Sequence, residues 1–259
     1  MRLRRVLARA LAAVIGLVLL YVAAVVALGL AYRVVTPVST LMLGRWATLR
    51  EAARTAVPLE AVAAVVPLAV VASEDARFCR HRGVDWGALR EVVEDEEGPS
   101  RGASTVPMQV AKNLFLWPGR SYVRKALEIP IALYLDLAWP KRRMMENYLN
   151  IAEWGPGVFG VEAAARRAFG KPARDLSRQE AALLVTALPN PKLRNPARPS
   201  PRHRNLANRL LVRMNATARS FVSERPWFVS GRLATVISEA PNGRAPAPSV
   251  AISMRCGSI

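Results

Sequence analysis

The sequence predicts a mainly helical protein that is entered through a single membrane-spanning helix, and three observations carry that prediction. Apolar residues recur at helical spacing along most of the chain, strand-like alternation is scarce, and residues 10–32 carry no charge. At 259 residues the chain can hold one or two domains with a sizeable core.

The uncharged run ALAAVIGLVLLYVAAVVALGLAY would span about 35 Å as a helix, enough to cross a bilayer. Small residues from Ala27 to Ala31 would suit cleavage of a secretory signal. The run nevertheless exceeds a signal core of about 7–15 residues, so an uncleaved anchor is the preferred reading. Arg2, Arg4, Arg5 and Arg9 crowd the first flank, whereas Arg33, Arg45 and Arg50 are spread along the second. By the positive-inside rule the N-terminus is cytoplasmic and the bulk of the chain lies outside. The organisation that follows is a basic cytoplasmic tail at 1–9, the anchor at 10–32, a juxtamembrane linker with one short amphipathic turn at 33–56, a folded domain at 57–222 and a loosely ordered tail at 223–259.

Within the domain, Leu59 to Phe78 is apolar but interrupted by Pro67, too short for a second span and suited to a buried core helix. Glu94 to Ser100 is acidic and breaker-rich and reads as a solvated loop. Helical periodicity returns in Leu127 to Leu137, Arg142 to Ile151, Gly160 to Phe169, Ser177 to Leu188 and Asn205 to Phe221. Ser177 with Glu180 forms a capping box, and Pro189 ends that helix.

Lys and Arg number 37 against 19 Asp and Glu, a net charge of +18 that calls for an anionic partner: nucleic acid, phosphate groups or an anionic membrane. The topology places this charge outside the cytoplasm, which argues against nucleic acid and for lipid headgroups or a phosphorylated lipid. Two cysteines, Cys79 and Cys256, exclude a disulfide framework and a four-Cys zinc site, and two histidines exclude a multi-histidine metal site. Acid–base chemistry therefore falls to carboxylates.

Glu74 and Asp75 end an apolar stretch in the pattern EDARFCRHRGVD, where weak solvation suits a carboxylate to proton exchange near neutral pH. On pattern alone, adjacent carboxylates at a helix end are more often plain surface charges. Gly102 to Leu116 places hydroxyls ahead of Gln109, Lys112 and Asn113, a polar loop leading into a helix. Arg124 and Glu128 then share a helical face at i, i+4, with Lys125 beside them. Eight Lys and Arg between Arg101 and Arg143 face only Glu128 and Asp136, an excess suited to a departing pyrophosphate.

EDARFCRHRG, GASTVPMQVAKNLFLW, RKALE, KRRMMENYLNIAEWGPGVFGVEAAARRAFGK and LSRQEAALLVTALPNP together resemble, in order and spacing, the five motifs of the peptidoglycan glycosyltransferases. These are the lysozyme-like, two-lobed transglycosylase modules of bifunctional penicillin-binding proteins and their monofunctional relatives. The resemblance runs from about Val57 to Pro199, and NYLNIAEWGPGVFG is similar to the monofunctional biosynthetic version. It implies polymerisation of lipid II, a disaccharide-pentapeptide carried through pyrophosphate on a polyprenyl chain. The 4-hydroxyl of the acceptor N-acetylglucosamine attacks the anomeric carbon of the growing strand with inversion, and polyprenyl pyrophosphate leaves.

By the resemblance, Glu74 is the catalytic base, and Glu128 is either an assistant to the leaving pyrophosphate or a positioning group. Lys112, Arg124 and Lys125 hold phosphate. Asp75, Phe78, His81, Ser104, Thr105, Gln109 and Asn113 shape the substrate sites, and Glu146, Tyr148 and Asn150 fall in a structural motif. No cofactor is implied, although a divalent cation beside the pyrophosphate is compatible. The implied partners are lipid II, the growing glycan strand, anionic membrane lipids and other cell-wall synthesis proteins, at a bacterial inner membrane with the catalytic domain periplasmic.

Three departures stand out. Met108 replaces a common glutamine, with an expected loss of at most one hydrogen bond to sugar or loop, so that restoring Gln should raise turnover severalfold at most. Pro107 replaces a Ser or Thr in a loop whose backbone could meet substrate. Pro130 interrupts the helix after RKALE. Rival readings are a non-catalytic scaffold of the wall-synthesis machinery and a lytic transglycosylase or lysozyme-like hydrolase, in which Glu74 would be an acid. The hydrolase has no use for the phosphate cluster.

Overall fold

The computed structural model describes residues 2–94, 103–119 and 121–224; most of the acidic run at 94–100 and the tail beyond 224 lie outside the described residues. Helix α1, Arg2–Ala31, continues the apolar run back through the basic tail and is almost wholly exposed. Only Val25 and Gly29 are buried on it.

Residues 33–56, expected as a linker, are folded onto the domain. Ser39 caps α2, Thr40–Ala47, and Thr40 Oγ1 donates to the carbonyls of Asn113 and Leu116 at 3.1 and 2.8 Å. Strand β1, Ala53–Arg54, follows, and a 3₁₀ turn at Leu59–Ala61 leads into α3, Val65–Glu74. Pro67 is the third residue of α3, where its missing N–H deprives the helix of no bond. Val66, Ala69, Val70 and Val71 of α3 are completely buried, so this is a core helix, and it delivers Glu74 at its C-terminal end.

Helix α4 spans Trp86–Glu94, α5 Val106–Phe115 and α6 Tyr122–Ala138. The loop before α4 turns through Gly83 at φ +73°; a Cβ there would meet the Ala132 carbonyl of α6 at 2.7 Å, so only glycine permits the approach. Helix α6 runs through Pro130, which lies on its exposed face. Next come α7, Lys141–Ile151, and the strands β2, Glu153–Gly155, and β3, Val158–Phe159. The small sheet has order β1-β3-β2, with β1 parallel and β2 antiparallel to β3. Helices α8, Val161–Phe169, α9, Arg178–Ala187, and α10, Pro201–Glu224, follow and reach the end of the described residues. The capping box is formed as the sequence predicts: Ser177 Oγ accepts from Glu180 N–H, and Glu180 Oε2 from Ser177 N–H.

Two packing groups result. α3, α9 and α10 pack together, and α5 packs on α6 and α7. α1 docks on α6 in the second group: Tyr134 Oη donates to the Val26 carbonyl and Trp139 Nε1 to the Gly29 carbonyl, both at 2.7 Å. On α7, Asn150 closes both backbone groups of Val57 at 2.9 and 2.8 Å, and Glu146 accepts from Leu59 N–H at 3.0 Å. These two side chains tie the domain entrance to its centre.

Candidate active site

A cleft of about 770 Å³ opens between the two packing groups. Ser73 and Glu74 line it from α3, Ser104 and Gln109 from the start of α5, and Thr186, Pro189 and Arg194 from the end of α9 and the loop beyond. Leu206, Arg209, Val212 and Arg213 of α10 form the rest of the wall.

Glu74 is half-buried and held from two sides. Ser73 Oγ donates to Oε1 at 2.9 Å, and Gln109 Nε2 donates to Oε2 at 3.2 Å. The orientation of Gln109 is itself fixed, because the Tyr148 hydroxyl donates to its Oε1 at 3.2 Å. Burial, together with the charges of Glu74 and Asp75, holds the Tyr148 phenol well above its ordinary value, so it remains a donor. A donor against Oε1 leaves only the NH₂ end of the amide for Glu74. Sequence reasoning assigned Tyr148 to a structural motif; its contact with Gln109 spans 39 residues and has no local signature.

The EDARFCRHRG segment supports this carboxylate from beneath. Asp75 is buried, accepts from His81 Nε2 at 2.8 Å, and accepts the Val106 backbone N–H at 2.9 Å. A carboxylate at the N-terminus of α5 complements the helix dipole. Thr105 caps the same helix, accepting from Met108 N–H at 3.3 Å and donating to the Gly83 carbonyl at 2.6 Å. Phe78 is 1% exposed, with Lys141 Nζ 4.9 Å from its ring centroid, and Asn113 is also buried. None of Asp75, Phe78, His81, Thr105 and Asn113 lines the cleft; Asp75 and Thr105 are bonded within the protein behind it, and the buried His81 Nδ1 has no hydrogen-bond partner among the described residues.

Glu128 is 1% exposed on α6 and receives both Arg124 Nη1 and Lys125 Nζ, the latter at 2.9 Å. The i, i+4 pair is therefore buried, and the two cations offset the cost of taking the carboxylate out of water. Lys125 also donates to Ser104 Oγ at 2.9 Å, connecting this cluster to the cleft. Lys112 lies on α5 one turn beyond Gln109. Its ammonium is lowered from the ordinary lysine value, chiefly by burial, with Glu128 and Glu74 acting in the opposite direction. Arg124 and Lys125 share one carboxylate, Lys112 lies in the field of Glu128 and Glu74, and the buried Arg124 Nε has no hydrogen-bond partner among the described residues. Among those residues no group of three or more His, Cys, Asp or Glu could hold a metal ion.

Two sequence expectations change. Met108 is completely buried, one residue before Gln109 and so about 100° round α5 from it, which makes it a core residue that offers nothing to a sugar. Pro107 is the second residue of α5, not part of a loop; its missing N–H is one the first turn leaves unpaired in any case. Neither departure touches the cleft wall.

A transglycosylase family model matches residues 42–215. The biosynthetic peptidoglycan transglycosylase of Rhodopseudomonas palustris (strain HaA2) is 51% identical over 213 residues, 81% of this chain and 92% of that protein. Its counterpart from Nitrobacter hamburgensis is 49% identical over 218 residues, 83% of this chain and 94% of that protein. That of Brucella suis biovar 1 is 55% identical over 168 residues, 64% and 75% of the two chains. With the helical fold, the motif order and a match across most of the chain in agreement, this protein belongs to the transglycosylase family.

Proposed function

We propose that this chain is a peptidoglycan glycosyltransferase that polymerises lipid II, with Glu74 as the base. The observation that carries the reading is the Tyr148–Gln109–Glu74 chain, which holds a carboxylate in the cleft wall, with Ser104 of the same wall bonded to Lys125 of the cationic cluster behind it. Glu74 takes the proton of the acceptor 4-hydroxyl as its oxygen bonds to the donor anomeric carbon. The bond from that carbon to the pyrophosphate oxygen breaks on the opposite face, and the released charge meets Lys112, Arg124 and Lys125. Glu128 holds the last two in place, and Ser104 and Gln109 border the sugars. A hydrolase would use the carboxylate but not the cations, and a scaffold would use neither.

Removing the base while keeping its shape is the direct test. Glu74→Gln in the full chain should lower polymer formation from lipid II by roughly 10²-fold or more while lipid II binding survives. Wild-type turnover in that variant removes Glu74 from the mechanism.

The same reading places α1 in a bacterial inner membrane, N-terminus inward, with the domain on the periplasmic side where anionic lipids and other wall-synthesis proteins are within reach. Support comes from the arginine asymmetry about the apolar run and from the length and exposure of α1. A reporter fused after Phe221 should be active only outside the cytoplasm; activity inside reverses the orientation, and release of a soluble form starting near Leu30 identifies a cleaved signal.

A further inference from the structure

The cleft has a second cationic wall that the transfer chemistry leaves unused. Between Ala181 and Ser223 the chain has eight Lys and Arg and no Asp or Glu. Two of these, Arg209 and Arg213, lie four residues apart on one face of α10, both exposed and both lining the cleft that holds Glu74. Like charges at this spacing repel on a helix, and neither guanidinium meets a carboxylate among the described residues. The contrast with Arg124 and Lys125, each paired with Glu128, is direct. Arg194, across the same wall, is held by its bond to the Thr186 carbonyl at 2.6 Å and adds a third positive charge. Such an arrangement costs the fold something and returns nothing until an anion enters.

Lipid II offers anionic oxygens in two places: its pyrophosphate, tied through the polyprenyl chain to the bilayer, and the carboxylates of its peptide. α10 packs on α3 and α9, whereas the anchor packs on α6, so the arginine pair belongs to the packing group that does not carry the membrane helix. A peptide projecting sideways from a sugar in the cleft reaches that wall without leaving the active site. We propose that Arg209 and Arg213 bind a carboxylate of the peptide stem carried by the strand in the cleft, the planar guanidinium forks matching its two oxygens. The assignment rests on the transfer reading above and adds a determinant of substrate choice to it. An acceptor pyrophosphate would present the same chemistry, and the experiment separates the two.

Full-length wild type, Arg209→Gln, Arg213→Gln and the double variant are assayed with two substrates, lipid II with its natural pentapeptide and lipid II with every stem carboxyl converted to a carboxamide. On the natural substrate the double variant should lose about tenfold in kcat/KM, mostly through KM, with Arg213→Lys in the Arg209→Gln background recovering part of the loss. On the amidated substrate wild type and double variant should agree within about twofold. Equal losses on both substrates overturn the stem assignment in favour of pyrophosphate, and no loss on either overturns the site. If wild type polymerises neither substrate, the transfer reading itself has failed, an outcome distinct from both.

Discussion

Replacing Tyr148 by Phe removes one oxygen from the interior and, if the relay to Glu74 is correct, disturbs a carboxylate that the side chain never touches. The ring is 1% exposed and keeps its packing, so the apolar contribution is unchanged. What is lost is the 3.2 Å bond to Gln109 Oε1, worth about 0.5–1.5 kcal/mol net. Gln109 is only half-buried and lines the cleft, so water can replace the donor, which puts the stability loss near the lower end of that range. The phenol's share of the orienting preference is lost, while the acceptor-only Glu74 carboxylate goes on favouring the amide NH₂. That share is about a two- to tenfold change in the ratio of the two amide orientations, and because the correct one still holds at least half of the enzyme, the competent fraction falls by about twofold at most. kcat for lipid II polymerisation should fall by up to about that factor, with KM little changed. The double-mutant cycle with Gln109→Ala is decisive: once Gln109 is gone, Tyr148→Phe should add almost nothing. An undiminished kcat, or losses that simply add in the double variant, would show that the phenol supports the core and does not orient the amide.

Burial lowers Lys112, so over a range of alkaline pH the unfolded chain keeps a proton that the folded chain has released; this group's contribution to stability therefore rises with pH between the folded and unfolded values, while the charge needed for pyrophosphate is lost. kcat/KM should fall on the alkaline side below the ordinary lysine range, the kcat limb should lie at higher pH because bound pyrophosphate favours the ammonium, and Lys112→Arg should remove the limb; an unmoved limb in that variant assigns it elsewhere. Met108→Gln, which the motif comparison favoured, should instead destabilise by about 1–3 kcal/mol, since it buries an amide where no polar partner is provided. Chemical denaturation checks this, and a variant of wild-type stability with severalfold higher turnover would place Met108 at the substrate after all.

Where the sequence was legible, the determining interactions are local. The Ser177–Glu180 box is complete within four residues, and its pattern is its mechanism. Arg124 and Glu128 are one helical turn apart, so their pairing could be read; their burial could not, because it is produced by α5 lying across α6. Met108 was misjudged for a related reason. Which face of a helix a residue occupies depends on where the helix begins, and α5 begins at Val106 because Thr105 caps it while bonded to Gly83, 22 residues back in sequence. With a polar loop expected to lead into a helix at no stated residue there was no phase to assign, so Met108 and Gln109 looked like neighbours at one surface when they lie about 100° apart round the helix, one in the core and one at the cleft. The arginines of α10 are the converse case. Their number was plain in the sequence, but a charge count has no direction until α10 is packed on α3 and α9, and that packing turns Arg209 and Arg213 toward the same cleft as the carboxylate at the end of α3. The motifs identify the residues that do chemistry because those residues cluster along the chain. What holds them and what recognises the rest of the substrate come from segments 35 to 140 residues away, and only the folded chain assembles them.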